Sequence, residues 1–110
     1  MGKGGYLGEF EHVVLLTVLR LGDGAYGAKI RAEIERVTGR SSAIGAVHAT
    51  LERLERKRFV SSWTGEPTAE RGGRAKRHFK VEADGVSALK SARHALERLH
   101  AGVLLRNATA

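Results

Sequence analysis

Cysteine is absent from the 110 residues, which excludes a disulfide framework and any cysteine-ligated metal. Proline occurs once, at Pro67, so glycine does most of the punctuation of the chain. Aromatic residues make up only 5%, which leaves the core to Leu, Val, Ile and Ala. So few aromatics also give no cluster on which single-stranded bases would stack. A long apolar run is missing too. The longest, Val13-Val14-Leu15-Leu16, continues past Thr17 to Val18-Leu19, far short of the ~20 residues a membrane span needs. Glu9 and Glu11 precede it, Arg20 follows, and no cleavage site is apparent. A secretory signal and a membrane partner are therefore not expected, and a cytoplasmic protein is.

Catalytic and metal-binding patterns are equally thin. His12, His48, His78, His94 and His100 form no zinc-ligand spacing with a carboxylate. The glycine-rich stretch lacks the Gly-Lys-Ser/Thr ending of a phosphate-binding loop, and nothing resembles a nucleophile elbow. No catalytic residue, metal or cofactor is assigned, and the chain is not expected to be an enzyme.

What the sequence has is positive charge. Nineteen Lys and Arg against twelve Asp and Glu give a net charge of +7. Such an excess suits a polyanionic partner, although a merely basic soluble domain fits the charge equally well. The length suits one compact domain with an appended element.

Hydrophobic periodicity predicts the elements in order. Residues 7–21 read as a first helix, with Phe10, Val14, Leu15, Val18 and Leu19 on one face, broken by Gly22-Asp23-Gly24. Residues 26–37 read as a second, with Tyr26, Ile30, Ile34 and Val37 in one stripe. Ser41-Ser42 offers an N-cap for a third helix over 43–57, in which Ile44, Val47, Leu51 and Leu54 face inward. The period then changes. Residues 59–64 and 77–81 read as strands, with Phe79 and Val81 on one side and His78 and Lys80 on the other. Trp63 is expected on the inner face of the sheet, on the side of Phe59. Residues 65–76 hold the proline and a Gly-Gly pair and read as a long hairpin loop. A last helix over 86–104 carries Leu89, Ala92, Leu96, Leu99 and Val103 at heptad spacing, too short a seam to stand without another element.

Three helices followed by a two-stranded hairpin is the order of a winged helix-turn-helix. The predicted fold is therefore mainly α (α+β). Residues 1–82 would form a DNA-binding domain with a two-stranded β wing, and residues 83–110 a C-terminal dimerisation helix. In this arrangement the third helix enters the major groove. Gly45, Ala46 and Ala49 would let its backbone approach base edges, with His48 at its flank. Arg53 and Arg56 would reach phosphates or guanine edges, and Ser41 and Ser42 would sit at its positive end. Taken alone, the same helix fits an ordinary amphipathic helix with a solvated face. The segment 65–80 carries five basic residues, Arg71, Arg74, Lys76, Arg77 and Lys80, against Glu66 and Glu70. With Gly72 and Gly73 it suits contact with a sugar-phosphate edge, or a solvated loop.

The chain also resembles the PadR-like transcriptional regulators. The resemblance rests on Leu7-Gly8-Glu9-Phe10-Glu11, on Ala25-Tyr26-Gly27-Ala28-Lys29-Ile30 and on the segment from Gly45 to Glu55. It continues through Gly65-Glu66-Pro67, the segment from Glu70 to Arg77, and Ala83-Asp84-Gly85. It implies a dimeric winged-helix repressor whose C-terminal helix packs across its partner near the first helix, covering Leu89, Ala92, Leu96, Leu99 and Val103. Three positions depart from the pattern. His48 stands where the family usually has Tyr, Arg58 where it usually has Gly, and His78-Phe79 replaces a common aromatic pair. Arg58 would then need a strained turn or a different one. The expected partners are double-stranded DNA carrying an inverted-repeat operator, a second copy of the chain, and an unidentified small-molecule effector. A protein-interaction module and a non-specific or RNA binder remain the alternatives.

Overall fold

The computed structural model describes residues 6–65 and 75–103. The elements are α1 (Glu9–Leu21), a 3₁₀ turn (Gly22–Gly24), α2 (Gly27–Thr38), α3 (Ile44–Arg56), β1 (Val60–Thr64), β2 (Arg77–Val81) and α4 (Ala83–His100). This is the predicted winged helix, mainly helical, with one two-stranded antiparallel sheet among the described residues.

Local chemistry accounts for most of the boundaries. Glu9 and Glu11 occupy the first turn of α1, where they complement the helix dipole. Glu11 also reaches back to accept the Gly8 N–H at 2.8 Å. Gly22, at φ 68°, ends α1, and Gly39, at φ 77°, ends α2 in a left-handed cap. The end of α3 closes differently and without a glycine. Arg58 N–H donates to the Glu55 carbonyl at 2.9 Å and Phe59 N–H to the Leu54 carbonyl at 3.0 Å, which is a Schellman motif. Arg58 takes the left-handed position at φ 66°, so of the two turns the sequence left open the strained one is present.

Val14, Leu15 and Val18 of α1, Ile30 and Ile34 of α2, and Val47, Leu51 and Leu54 of α3 make one core with Ala25, Phe59, Val60, Phe79 and Leu89. The hairpin pairs Val60 with Val81, Ser62 with Phe79, Trp63 with His78 and Thr64 with Arg77. Phe79 N–H also donates to the Ala25 carbonyl at 2.9 Å, which ties β2 to the turn before α2. α4 starts close against the hairpin. A Cβ on Gly85 would overlap the Phe59 carbonyl oxygen and meet the Val81 side chain.

Several expectations are corrected. Ser41-Ser42 does not cap α3: the N-cap is Ala43, with no side-chain hydrogen bond. Ile44, Val37 and Leu19 are exposed: Ile44 opens α3, Val37 lies in the last turn of α2, and Leu19 lies at the edge of the apolar arc of α1. Trp63 is 42% exposed and shares the sheet face of His78, opposite Phe79. α4 begins earlier than expected and ends at His100, so Val103 lies past the helix, after Gly102 at φ 80°. Leu89, expected in a dimer seam, is buried in this chain's own core.

Candidate nucleic-acid interface

α3 buries Val47, Thr50, Leu51 and Leu54, which turns the opposite arc outward. At helical spacing that arc is the stripe Gly45, Ala49, Glu52 and Arg56, with Ala46 beside it, all exposed. Nothing lies within 4 Å of where a Gly45 Cβ would stand, so an outside surface can approach the backbone there. Arg56 has no hydrogen-bond or ion-pair partner among the described residues. Glu52, not singled out as a site residue from the sequence, stands inside the same stripe. Its place follows from the same periodicity that selects Gly45 and Ala49.

Arg53 is held differently. Its Nε lies 3.3 Å from Glu11 Oε2, and its Nη2 donates to the Thr50 hydroxyl at 3.2 Å. Lys57 Nζ donates to the same carboxylate at 2.9 and 3.1 Å. Burial alone pushes the Glu11 carboxyl up. The Gly8 amide, Lys57 and Arg53 outweigh that and hold it below the ordinary carboxylate range. Arg53 thus lies along the α1 flank of α3, away from the stripe. A contact over 42 residues of sequence leaves no local pattern to reveal it.

On the other flank, the His48 imidazole sits over Gly27, the first residue of α2, with Cε1 2.5 Å from where a Cβ would stand. Glycine there makes the seat for the imidazole. Tyr26, immediately before, has its ring edge-on to His78 at 5.8 Å, with Lys76 Nζ 4.9 Å from the Tyr26 centroid. Trp63 stacks on His78 at 5.6 Å. Aromatic and basic groups therefore extend from α3, across the start of α2, to the loop end of the hairpin. Sequence reading placed His48 and Lys76 in the site. It missed Tyr26, Trp63 and His78, whose grouping depends on the cross-strand register and on the Tyr26–His78 bridge.

Arg77 is on the same hairpin but is directed toward α3. Its Nη2 pairs with Glu55 Oε1 at 2.6 Å and its Nε donates to the Ser62 hydroxyl at 3.0 Å. Ser41 is exposed and Ser42 half-buried ahead of α3, with the Ser42 hydroxyl unpartnered among the described residues. Arg71, Gly72, Gly73 and Arg74 lie outside the described residues. Of the proposed seam, Ala92 is half-buried, while Leu96, Leu99 and Val103 are exposed. Among the described residues there is no metal-ligand cluster and no helix long and apolar enough to cross a membrane.

No family profile matches the chain, and no curated protein matches its sequence. Solved structures do match. A transcriptional regulator from Clostridium thermocellum superposes with a TM-score of 0.68 at 20% identity, over 82% of this chain and 84% of that one. A PadR-like transcriptional regulator from Bacillus cereus gives 0.69 at 12% identity, over 86% of each chain. Bacillus subtilis PadR, solved in complex with operator DNA, gives 0.67 at 16% identity, over 77% of this chain and 46% of that one. The chain has the winged-helix fold of the PadR-like transcriptional regulators.

Proposed function

We propose that the chain is a sequence-specific double-stranded DNA-binding transcriptional regulator, a repressor acting as a homodimer with no catalytic step. The observation that carries this reading is the outward stripe of α3. It has two small residues that admit a close surface, a polar residue at each later turn, and flanks of His48 and Arg53. That is the side-chain economy of a helix lying in a major groove. The basic excess of the chain and the aromatic-basic line toward the hairpin support it. So does the fold shared with a PadR bound to operator DNA.

The dimer rests on exposed apolar side chains. Leu96 and Leu99 on α4, Val103 just beyond it, and Leu16 and Leu19 on α1 all stand open. Packing α4 across the α1 of a second copy would cover them, and the cleft so formed is where a small-molecule effector would sit. Two copies would place their α3 helices about one DNA turn apart, ~10 bp between half-site centres, or a multiple of that.

Fluorescence anisotropy on duplex DNA across a salt series tests the reading. Affinity should fall steeply with salt, with a log–log slope of about −0.9 per phosphate neutralised. Arg56→Ala should cost ~1–3 kcal/mol if Arg56 is bidentate to guanine. Binding that is flat with salt and indifferent to Arg56 would contradict it.

A further inference from the structure

The hairpin leaves the core partway along its length. Val60 and Phe79 are buried, while Thr64 and Arg77, at the loop end of the ladder, are exposed. A two-stranded hairpin is marginal by itself, so the part beyond Phe79 needs a support if it is to hold one direction. Glu55 supplies one. The Ser62 hydroxyl donates to Glu55 Oε2 at 2.7 Å, Arg77 donates to Glu55 Oε1 at 2.6 Å, and Arg77 Nε donates to Ser62 at 3.0 Å. The three side chains close a triangle that joins α3 to both strands, at the point where burial stops.

We propose that Glu55 is a positioning residue for DNA recognition: its triangle with Ser62 and Arg77 sets the angle of the wing to α3, and Arg77 is a strut, not a phosphate contact. The inference rests on the DNA-binding reading above. Two features favour it over an incidental surface pair. An isolated surface pair joins two elements and adds little to stability, whereas this one closes through Ser62 and joins α3, β1 and β2 at once. A carboxylate placed between the recognition helix and the wing also repels a polyanion, and it would weaken binding unless it holds something in place.

These two effects have opposite signs, which makes the test decisive. A duplex enriched by the wild-type protein is titrated with wild type, Glu55→Gln, Arg77→Gln and the double variant, across a salt series. Each single variant should bind about tenfold more weakly, mid-range for coupling inside one hydrogen-bonded network. The double variant should be no weaker than either single one. Arg77→Gln should leave the salt slope unchanged. In the free protein, hydrogen exchange at the β1–β2 amides should quicken in Glu55→Gln, with Ser62→Ala as the milder companion. Tighter binding by Glu55→Gln, or a slope reduced by about one in Arg77→Gln, overturns the proposal. So does unchanged exchange in both Glu55→Gln and Ser62→Ala. A wild-type protein that selects no duplex overturns the DNA reading itself, and this inference with it. That result is distinct from a wild type that binds and a Glu55→Gln that binds as well.

Discussion

Replacing Arg58 by glycine isolates one backbone penalty. Arg58 sits at φ 66° in the left-handed slot of the Schellman motif that ends α3. A Cβ in that conformation costs roughly 1–2 kcal/mol. Glycine removes the clash but adds freedom to the unfolded chain, which returns roughly 0.5–1 kcal/mol. The net expectation is a gain of about 0.5–1 kcal/mol, or a melting temperature higher by roughly 2–5 °C for a domain of this size. The assay is thermal unfolding followed by helical circular dichroism, at one fixed protein concentration because dimerisation shifts the midpoint. Arg58 is exposed, so loss of its charge needs a control. Arg58→Ala removes the charge and keeps the Cβ, and should not be stabilised. Arg58→Asn should fall between, since Asn tolerates the left-handed region. A lower midpoint for Arg58→Gly, or equal gains for Gly and Ala, would refute the strain argument.

The other expectations are shorter. Gly85→Ala should destabilise by ~1–3 kcal/mol, as overpacking does, because the Cβ meets the Phe59 carbonyl and Val81; chemical denaturation checks it. Glu11 titrates below the usual carboxylate range in the fold. Its contribution is therefore complete above an ordinary carboxylate pKa and is lost as pH falls through the lowered folded value. Melting temperature should drop on acidification from pH 5 toward pH 2, and Glu11→Gln should flatten that drop; identical profiles would contradict the assignment. Leu96→Asp sets a charge among the exposed apolar groups of α4, and should leave a folded monomer at micromolar concentration by light scattering.

Much of the fold was readable because its signals are local. The heptad-like spacing of Val47, Leu51 and Leu54 places the core face of α3, and the alternation around Phe79 places β2. The left-handed turn at Arg58 was readable as a departure from a glycine pattern. The errors have physical causes. Ile44 and Val37 are apolar and correctly phased, but they lie in the first and last turns of their helices, and Leu19 lies at the edge of its arc. Leu89 shares its spacing with Leu96 and Leu99, yet only the start of α4 lies against the core. Within the site, charge type was legible and charge partner was not. Arg53, Arg56 and Arg77 look alike in sequence. Arg53 is held by Glu11 and Arg77 by Glu55, while Arg56 has no partner among the described residues.

The central claim is that the α3 stripe reads duplex DNA in two copies. Selection of bound sequences from a random duplex pool tests it most directly. The account predicts an enriched inverted repeat whose half-sites lie ~10 bp apart or a multiple of that, with the preference relaxed at one position per half-site by Arg56→Ala. A pool that emerges unenriched, or scrambled duplex bound as tightly as the selected one, would contradict it.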